Sequence, residues 1–327
     1  MSLNLASSAH ISCRHFGEKT ALIHDDRKLN YREFLRQLVA FAAHLRQVGV
    51  QPGDKVALFC PNRMSFTIAY YGILQAGGTV VPISYLAVGR EVGYYLDDSD
   101  AATLIAWSEY AEAAREGFDS ADSCNHLLLF DESDGPLTMV DSPGIDPDGE
   151  CDLTLTSSED TAVILYTSGT TGQPKGVLCT HRGAYLNAMG QIVEIGFDRD
   201  TRFLWTLPMF HCNGWCFTWA VTAVGGTHVC LRQLEPERVW TLFESEKVTH
   251  YNGAPTVQIM LLNSPGARRL EQPVTVIIAG APPSPTLLGQ LQKFNFRPIH
   301  VYGLTETYGP ISVCAWQSRW NELPQDE

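Results

Sequence analysis

Basic residues are in deficit, long apolar runs are missing and the cysteines form no framework; each shortage closes off a class of function. Lys and Arg number 23 against 36 Asp and Glu, a formal net charge of -13. Surfaces that follow a nucleic-acid backbone are basic, so no nucleic-acid partner is expected. A small polyphosphate stays open, because one lysine, a few backbone amides and a divalent cation neutralise it locally. The most apolar stretch, residues 215–224, holds two threonines and is too short for a bilayer, so no transmembrane segment is read. The N-terminus has no basic region followed by an apolar core, which excludes a secretory signal from the reading. The final Pro324-Gln325-Asp326-Glu327 is neither a peroxisomal tripeptide nor a prenylation box. Nine scattered cysteines in 327 residues are read as reduced thiols, and a cytoplasmic location is expected.

What is present suits a folded chain. With 45% apolar and 18% charged residues, the polymer can bury a full core as one large or two medium domains. Phe34, Leu35, Leu38, Phe41, Leu45 and Val48 fall at helical spacing. Asn30 and Glu33 form a capping-box pair and Gly49 follows, so a helix is predicted over 31–48. Strands are predicted at 56–59, 80–82 and 103–105, with helices at 65–75 and 91–96 between them. Residues 132–158, rich in Asp, Ser, Pro and Gly, read as a seam between two halves. Alternation resumes at Ala162, with helices at 183–195, 235–245 and 285–291 and strands near Leu204 and Val229 and at 274–278 and 299–302. That order predicts an α/β fold with a parallel sheet covered on both faces.

Residues 166–176, Tyr-Thr-Ser-Gly-Thr-Thr-Gly-Gln-Pro-Lys-Gly, follow a short apolar run, Ala162-Val163-Ile164-Leu165, that reads as a buried strand. Glycines let backbone amides converge on a ligand, the hydroxyls of Thr167, Ser168, Thr170 and Thr171 add donors, and Lys175 adds a positive charge. The combination suits a polyphosphate. A Walker A loop is excluded by spacing: counting from Gly169 puts Pro174 where the second glycine belongs, and Gly176 follows the lysine. A plain polar hairpin is the alternative reading of such composition.

The segment resembles the phosphate-binding signature of AMP-forming adenylating enzymes, the superfamily of acyl-CoA synthetases, peptide-synthetase adenylation domains and firefly luciferase. By that resemblance Thr167, Ser168, Gly169, Thr170, Thr171, Gly172 and Lys175 bind nucleotide. Tyr302-Gly303-Leu304-Thr305-Glu306 is similar to the second signature of the same enzymes. The match implies that Tyr302 packs on adenine, Thr305 contacts the α-phosphate and Glu306 holds Mg²⁺, with Thr167 a further metal donor. It lies directly after a predicted strand, where ligands of open α/β sheets sit; a helix cap by Thr305 is the plainer alternative. Gly280-Ala281-Pro282 resembles the adenine-contacting turn, and an ordinary strand-to-helix turn reads equally well.

Pro208-Met209-Phe210-His211 matches the segment whose histidine lies between acyl pocket and phosphates in these enzymes, against the general expectation that a single histidine is a core residue. The bulky run after it, including Trp215, resembles the short- and medium-chain acyl-activating branch, and places His211 and Trp215 at the acyl pocket. Cys212 and Cys216 beside His211 would suit zinc, but no fourth ligand stands at a sensible spacing. An amino-acid adenylation domain would want an acidic residue here, and residues 208–225 contain none.

The resemblance covers the whole chain. It implies an α/β protein of two layered subdomains with mainly parallel sheets flanked by helices. Residues 1–327 would form the large domain of adenylate-forming enzymes, incomplete, with halves at about 1–150 and 159–327. A small C-terminal domain carrying a catalytic lysine is expected to be absent, since no lysine follows Lys293. The implied activity is ATP- and Mg²⁺-dependent conversion of a carboxylic acid to acyl-adenylate and then, with CoA, to acyl-CoA; Lys175, His211, Thr305 and Glu306 are its catalytic candidates. The alternative is a nucleotide-binding remnant or half of a split enzyme. The expected partner is a second copy or a separate chain supplying the C-terminal part.

Overall fold

The computed structural model describes residues 4–131, 137–140, 143–154, 156–167 and 172–322. The capping box at the head of the helix Tyr31–Gln47 is formed. The Asn30 side chain accepts from the Glu33 amide at 2.8 Å, and the Glu33 carboxylate accepts from the Asn30 amide at 2.9 Å. The helix buries Phe34, Leu38, Phe41 and Leu45, the face that the sequence spacing marks.

Among the described residues the strands form two sheets. One has the order Gly309–Val313, Phe296–Leu304, Val274–Ile278, His250–Gly253, Arg202–Leu204, Thr227–Cys230, Thr20–His24, Arg27–Asn30. The other has the order Thr138–Met139, His126–Asp131, Ala101–Trp107, Lys55–Phe59, Thr79–Ile83, Thr161–Thr167, Lys175–Thr180. The interior pairs are parallel, as the alternation predicts. Each edge is an antiparallel hairpin pair.

The seam does not separate the strands of the two sheets. Thr20–His24 and Arg27–Asn30, near the N-terminus, complete the sheet otherwise built from residues 202–313. Thr161–Thr167 and Lys175–Thr180, beyond the seam, complete the sheet built from residues 55–139. Each sheet therefore depends on chain from both sides of 132–158.

A single apolar cluster joins the layers, from Leu22 and Val56 to Leu165, Trp205 and Trp219. Fully burying such side chains stabilises by roughly 1.5–3 kcal/mol each. Polar tips of several buried aromatics find partners within the core. Trp219 Nε1 donates to the Tyr70 hydroxyl at 2.9 Å, and Tyr31 donates to the Gly226 carbonyl at 2.6 Å.

The helix expected at 183–195 begins earlier and changes character. It runs His181–Gln191, capped by Thr180, and continues as a π-helical turn, Ile192–Gly196. A helix over Leu5–His15, not predicted, is capped by Asn4 and buries Leu5, Ala6, Ala9 and Cys13. No helix among the described residues is long and apolar enough to cross a membrane.

Candidate active site

The described residues of both signature segments belong to edge hairpins. Thr161–Thr167 and Lys175–Thr180 pair antiparallel, and Thr167 faces Lys175 as the last pair before the loop. The loop thus leaves and returns at the two residues read as phosphate ligands, and Lys175 is exposed there. Gly172 sits at φ 98°, a left-handed conformation that glycine adopts without strain. Ser168, Gly169, Thr170 and Thr171 lie outside the described residues. One pair further in, Tyr166 faces Gly176, where a Cβ would come within 2.9 Å of Ile164 Cγ2 and 3.4 Å of Tyr166 Cζ.

The second hairpin joins Phe296–Leu304 to Gly309–Val313 through a 3-10 turn, Thr305–Thr307. Gly303 is required by close approach: a Cβ there would collide with the Gly309 carbonyl, and would reach the Pro310 Cα at 2.7 Å. The Thr307 hydroxyl closes the turn, accepting from the Leu304 amide at 2.9 Å and donating to the Gly309 carbonyl at 2.7 Å. Thr305 is buried, whereas Glu306 and Tyr302 are exposed on the surface beside it.

The turn packs against both strands of the first hairpin. Tyr308, at φ 65°, carries its ring over Gly183, and its hydroxyl lies 3.3 Å from the Thr180 hydroxyl. Asn187 donates to the carbonyls of Thr307 and Pro310, both at 3.0 Å, and Gln191 donates to Pro310 at 3.0 Å. One helix, His181–Gln191, thereby ties the two signature hairpins together.

The His211 segment is clamped from the opposite sheet. Asn62, in the loop after Lys55–Phe59, is buried and makes three bonds to it. Its amide nitrogen donates to the carbonyls of Trp205 (3.1 Å) and Leu207 (2.8 Å), and its oxygen accepts from the Met209 amide at 2.6 Å. Crowding by protein atoms holds the His211 imidazole below its usual pKa, which favours the neutral ring near pH 7. The next four residues that shape the wall, Asn213, Gly214, Trp215 and Cys216, all have positive φ (37°, 65°, 58° and 65°). Left-handed geometry costs non-glycine residues roughly 1–2 kcal/mol each. Asn213 offsets part of that by donating to the Met209 carbonyl at 3.1 Å, and the run turns Trp215 toward Gly309.

A cavity of about 110 Å³ opens where these segments meet, lined by His211, Trp215, Ala279, Gly280, Gly303, Leu304, Gly309 and Pro310. Four residues read from the sequence, His211, Trp215, Gly280 and Gly303, converge on it from three separate motifs. Ala281 and Pro282 follow Gly280 on the exposed side and do not line it. Asn62, Asn187 and Tyr308 were not read from the sequence; a polar residue just past a predicted strand, as Asn62 is, was the available signal.

Among the described residues no group of three or more His, Cys, Asp or Glu gathers to hold a metal ion. Burial also pushes the Cys216 thiol well above its usual pKa, so it is a poor thiolate ligand. An exposed carboxylate at Glu306 and a hydroxyl at Thr167 suit Mg²⁺, which takes one or two protein oxygens and completes its shell with phosphate and water.

Comparison with known proteins agrees with this architecture. The family model described as AMP-binding enzyme matches residues 10–326. A 4-hydroxybutyrate–CoA ligase 2 from Metallosphaera sedula is 35% identical over 332 residues, covering 96% of this chain and 59% of the relative. Acetate–CoA ligase CCL3 from Humulus lupulus is 34% identical over 330 residues, covering 94% of this chain and 58% of the relative. The inhibitor-bound N-terminal domain of FACL13 from Mycobacterium tuberculosis superposes with a TM-score of 0.86 at 25% identity, covering 96% of this chain and 79% of that one. The chain thus spans under two thirds of the length of the curated relatives it matches. It belongs to the AMP-binding enzyme family.

Proposed function

We propose that this AMP-binding family member activates a carboxylic acid with ATP, as an AMP-forming acid–thiol ligase. The observation that carries the reading is the packing of the Thr305–Thr307 turn against both strands of the first hairpin, beside a small cavity. In the first step a carboxylate oxygen attacks the α-phosphorus of ATP, and the bond to pyrophosphate breaks. In the second, the CoA sulfur attacks the acyl carbon, the bond to AMP breaks, and the thiol proton passes to solvent.

Lys175, Thr167 and the hydroxyls of the loop would hold the β- and γ-phosphates; Thr305 would contact the α-phosphate. Tyr302, Gly303, Gly280, Ala281 and Pro282 would receive the adenosine end. Neutral His211 would orient the carboxylate by donating one N–H, with Trp215 against the acyl chain. Mg²⁺, held by Glu306 and Thr167, would neutralise part of the triphosphate charge. A cavity of about 110 Å³ suits a short aliphatic acid, in line with relatives named for acetate and 4-hydroxybutyrate. A cytoplasmic location and a partner, either a second copy or a chain supplying further sequence, belong to the same proposal.

ATP–pyrophosphate exchange over a panel of aliphatic acids tests it. Exchange above that of a Lys175→Ala control supports the reading, and none above it sinks it. The second reading is nucleotide binding without full turnover by these residues alone. Calorimetry showing Mg-ATP uptake with no exchange selects it.

A further inference from the structure

We infer that Tyr94 and Asp98, on the helix Gly89–Ser99, are positioning residues that fix the phosphate hairpin and thereby the place of Lys175. The inference rests on the proposal that this hairpin holds polyphosphate, and it adds residues that no signature contains. The helix carries Asp97 and Asp98 in its last turn, before Ser99, and has no basic residue there. Negative charge at a helix C-terminus opposes the macrodipole, so both carboxylates need partners elsewhere. Asp97 has them in the amides of Asp122 and Ser123, at 2.9 and 3.0 Å. Asp98 has its partner in the hairpin: the Tyr166 hydroxyl donates to its Oδ2 at 2.7 Å.

Tyr94 stands one turn earlier on the same face. Its hydroxyl is 2.6 Å from the Pro174 carbonyl and 3.4 Å from Asp98 Oδ1. It has one proton, and the shorter contact takes it. The two bonds hold both limbs of the hairpin, Tyr166 on the outgoing strand and Pro174 just before Lys175 on the return. The Tyr95 ring lies 4.7 Å from that of Tyr166 and fills the space between helix and strand. Burial, and then the Asp98 carboxylate, raise the Tyr166 phenol far above its usual pKa, so it stays a donor. The helix itself is fixed from behind, where Gly93 and Val92 abut Ser120 and Gly117 of Ala111–Ser120.

The test compares Tyr94→Phe, Asp98→Leu and Asp98→Asn with the parent chain, with Lys175→Ala as reference. Calorimetry with Mg-ATP and with AMP should show Mg-ATP affinity falling about 5- to 10-fold in Tyr94→Phe and Asp98→Leu, the worth of a hydrogen bond. AMP affinity should stay within about twofold, and Asp98→Asn, whose oxygen still accepts from Tyr166, should restore the parent value. Equal losses for both nucleotides would overturn the positioning role. Hydrogen exchange in the nucleotide-free chain supplies a readout independent of ligand. The amides of Gly172, Gln173 and residues 175–178 should lose protection in Tyr94→Phe and Asp98→Leu, while those of Val274–Ile278 keep it. Unchanged protection at 172–178 would sink the anchor whatever the nucleotide does. Lys175→Ala binding Mg-ATP as the parent does would instead sink the phosphate reading on which it rests.

Discussion

Thr167 and Lys175 face each other across the mouth of an antiparallel hairpin, the last residue of one edge strand opposite the first of the next. The loop between them is therefore gripped at its base, and its two ends move together. Because Lys175 is exposed, its ammonium is available to a ligand rather than spent on the fold. Lys175→Ala should lower ATP–pyrophosphate exchange by about 10²–10³ and shift the unfolding free energy by less than roughly 0.5 kcal/mol. Exchange assays and urea unfolding on one preparation check both halves of that statement.

Gly303 should not tolerate a methyl group. Its absent Cβ would run into the carbonyl of Gly309 and crowd Pro310 Cα, backbone atoms on the paired strand that cannot rotate aside. Gly303→Ala is expected to destabilise by about 1–3 kcal/mol, as overpacking does. The loss should appear in urea midpoints, with exchange protection at 309–313 falling first. Gly190→Ala, inside a helix where a Cβ meets open space, should lower neither and raise the midpoint slightly.

Removing the Asn62 side chain strands three polar groups, the Met209 amide and the carbonyls of Trp205 and Leu207. A buried group left unsatisfied costs about 1–3 kcal/mol. Asn62→Ala is accordingly expected to lower stability by at least about 2 kcal/mol and to loosen the chain ahead of His211. Tryptophan fluorescence followed through urea unfolding reads the first effect, and exchange protection at 205–211 reads the second.

Acid should weaken the fold before the carboxylates titrate. His181 and His228 are buried, and burial pulls them down to about 4 and about 3. His181 Nδ1 accepts from the Leu5 amide at 3.3 Å and its Nε2 lies 3.1 Å from the Thr156 hydroxyl, an arrangement that needs the neutral ring. His228 Nδ1 accepts from Trp205 Nε1 at 3.0 Å, with the Thr222 hydroxyl 3.0 Å from its Nε2. Both folded-state values lie below the unfolded one, so the neutral form is favoured by folding. Their contribution is complete above about pH 6.5 and is lost as pH falls toward 4, a few kcal/mol in all. Urea midpoints at pH 7.5, 6, 5 and 4.5 should decline steadily; a flat profile down to 4.5 would contradict this.

Periodic features were legible in the sequence, and partnerships were not. The helix at Tyr31–Gln47 shows its cap and its apolar stripe, and Val274–Ile278 is a strand at the predicted residues, because both signals are local. Lys175–Thr180 was missed as a strand. Its burial does not alternate, and its pairing is set by the facing strand rather than by its own composition. Leu5–His15, with three serines and two histidines, has modest helical propensity and owes its form to a buried face. Clamps are harder still. Asn62 meets Leu207 across 145 residues and Tyr308 meets Thr180 across 128, and nothing in either neighbourhood announces the other. The convergence of His211, Trp215, Gly280 and Gly303 on one cavity followed from motif order along strands of a parallel sheet.

The exchange of edge hairpins between the sheets has a kinetic consequence. During synthesis the ribbon at residues 20–30 emerges long before Thr227–Cys230, the strand it must lie beside. At ribosomal rates of about 5–20 residues per second, that wait is roughly 10–40 s. For that interval Ala21, Leu22 and Ile23, fully enclosed in the finished molecule, lack the parallel strand that pairs along one of their edges. Such non-local closure folds slowly and invites aggregation. Yield on expression should therefore respond to chaperone supply and to slower growth at low temperature, and a chain split at the seam should regain its shape only when both pieces are made together.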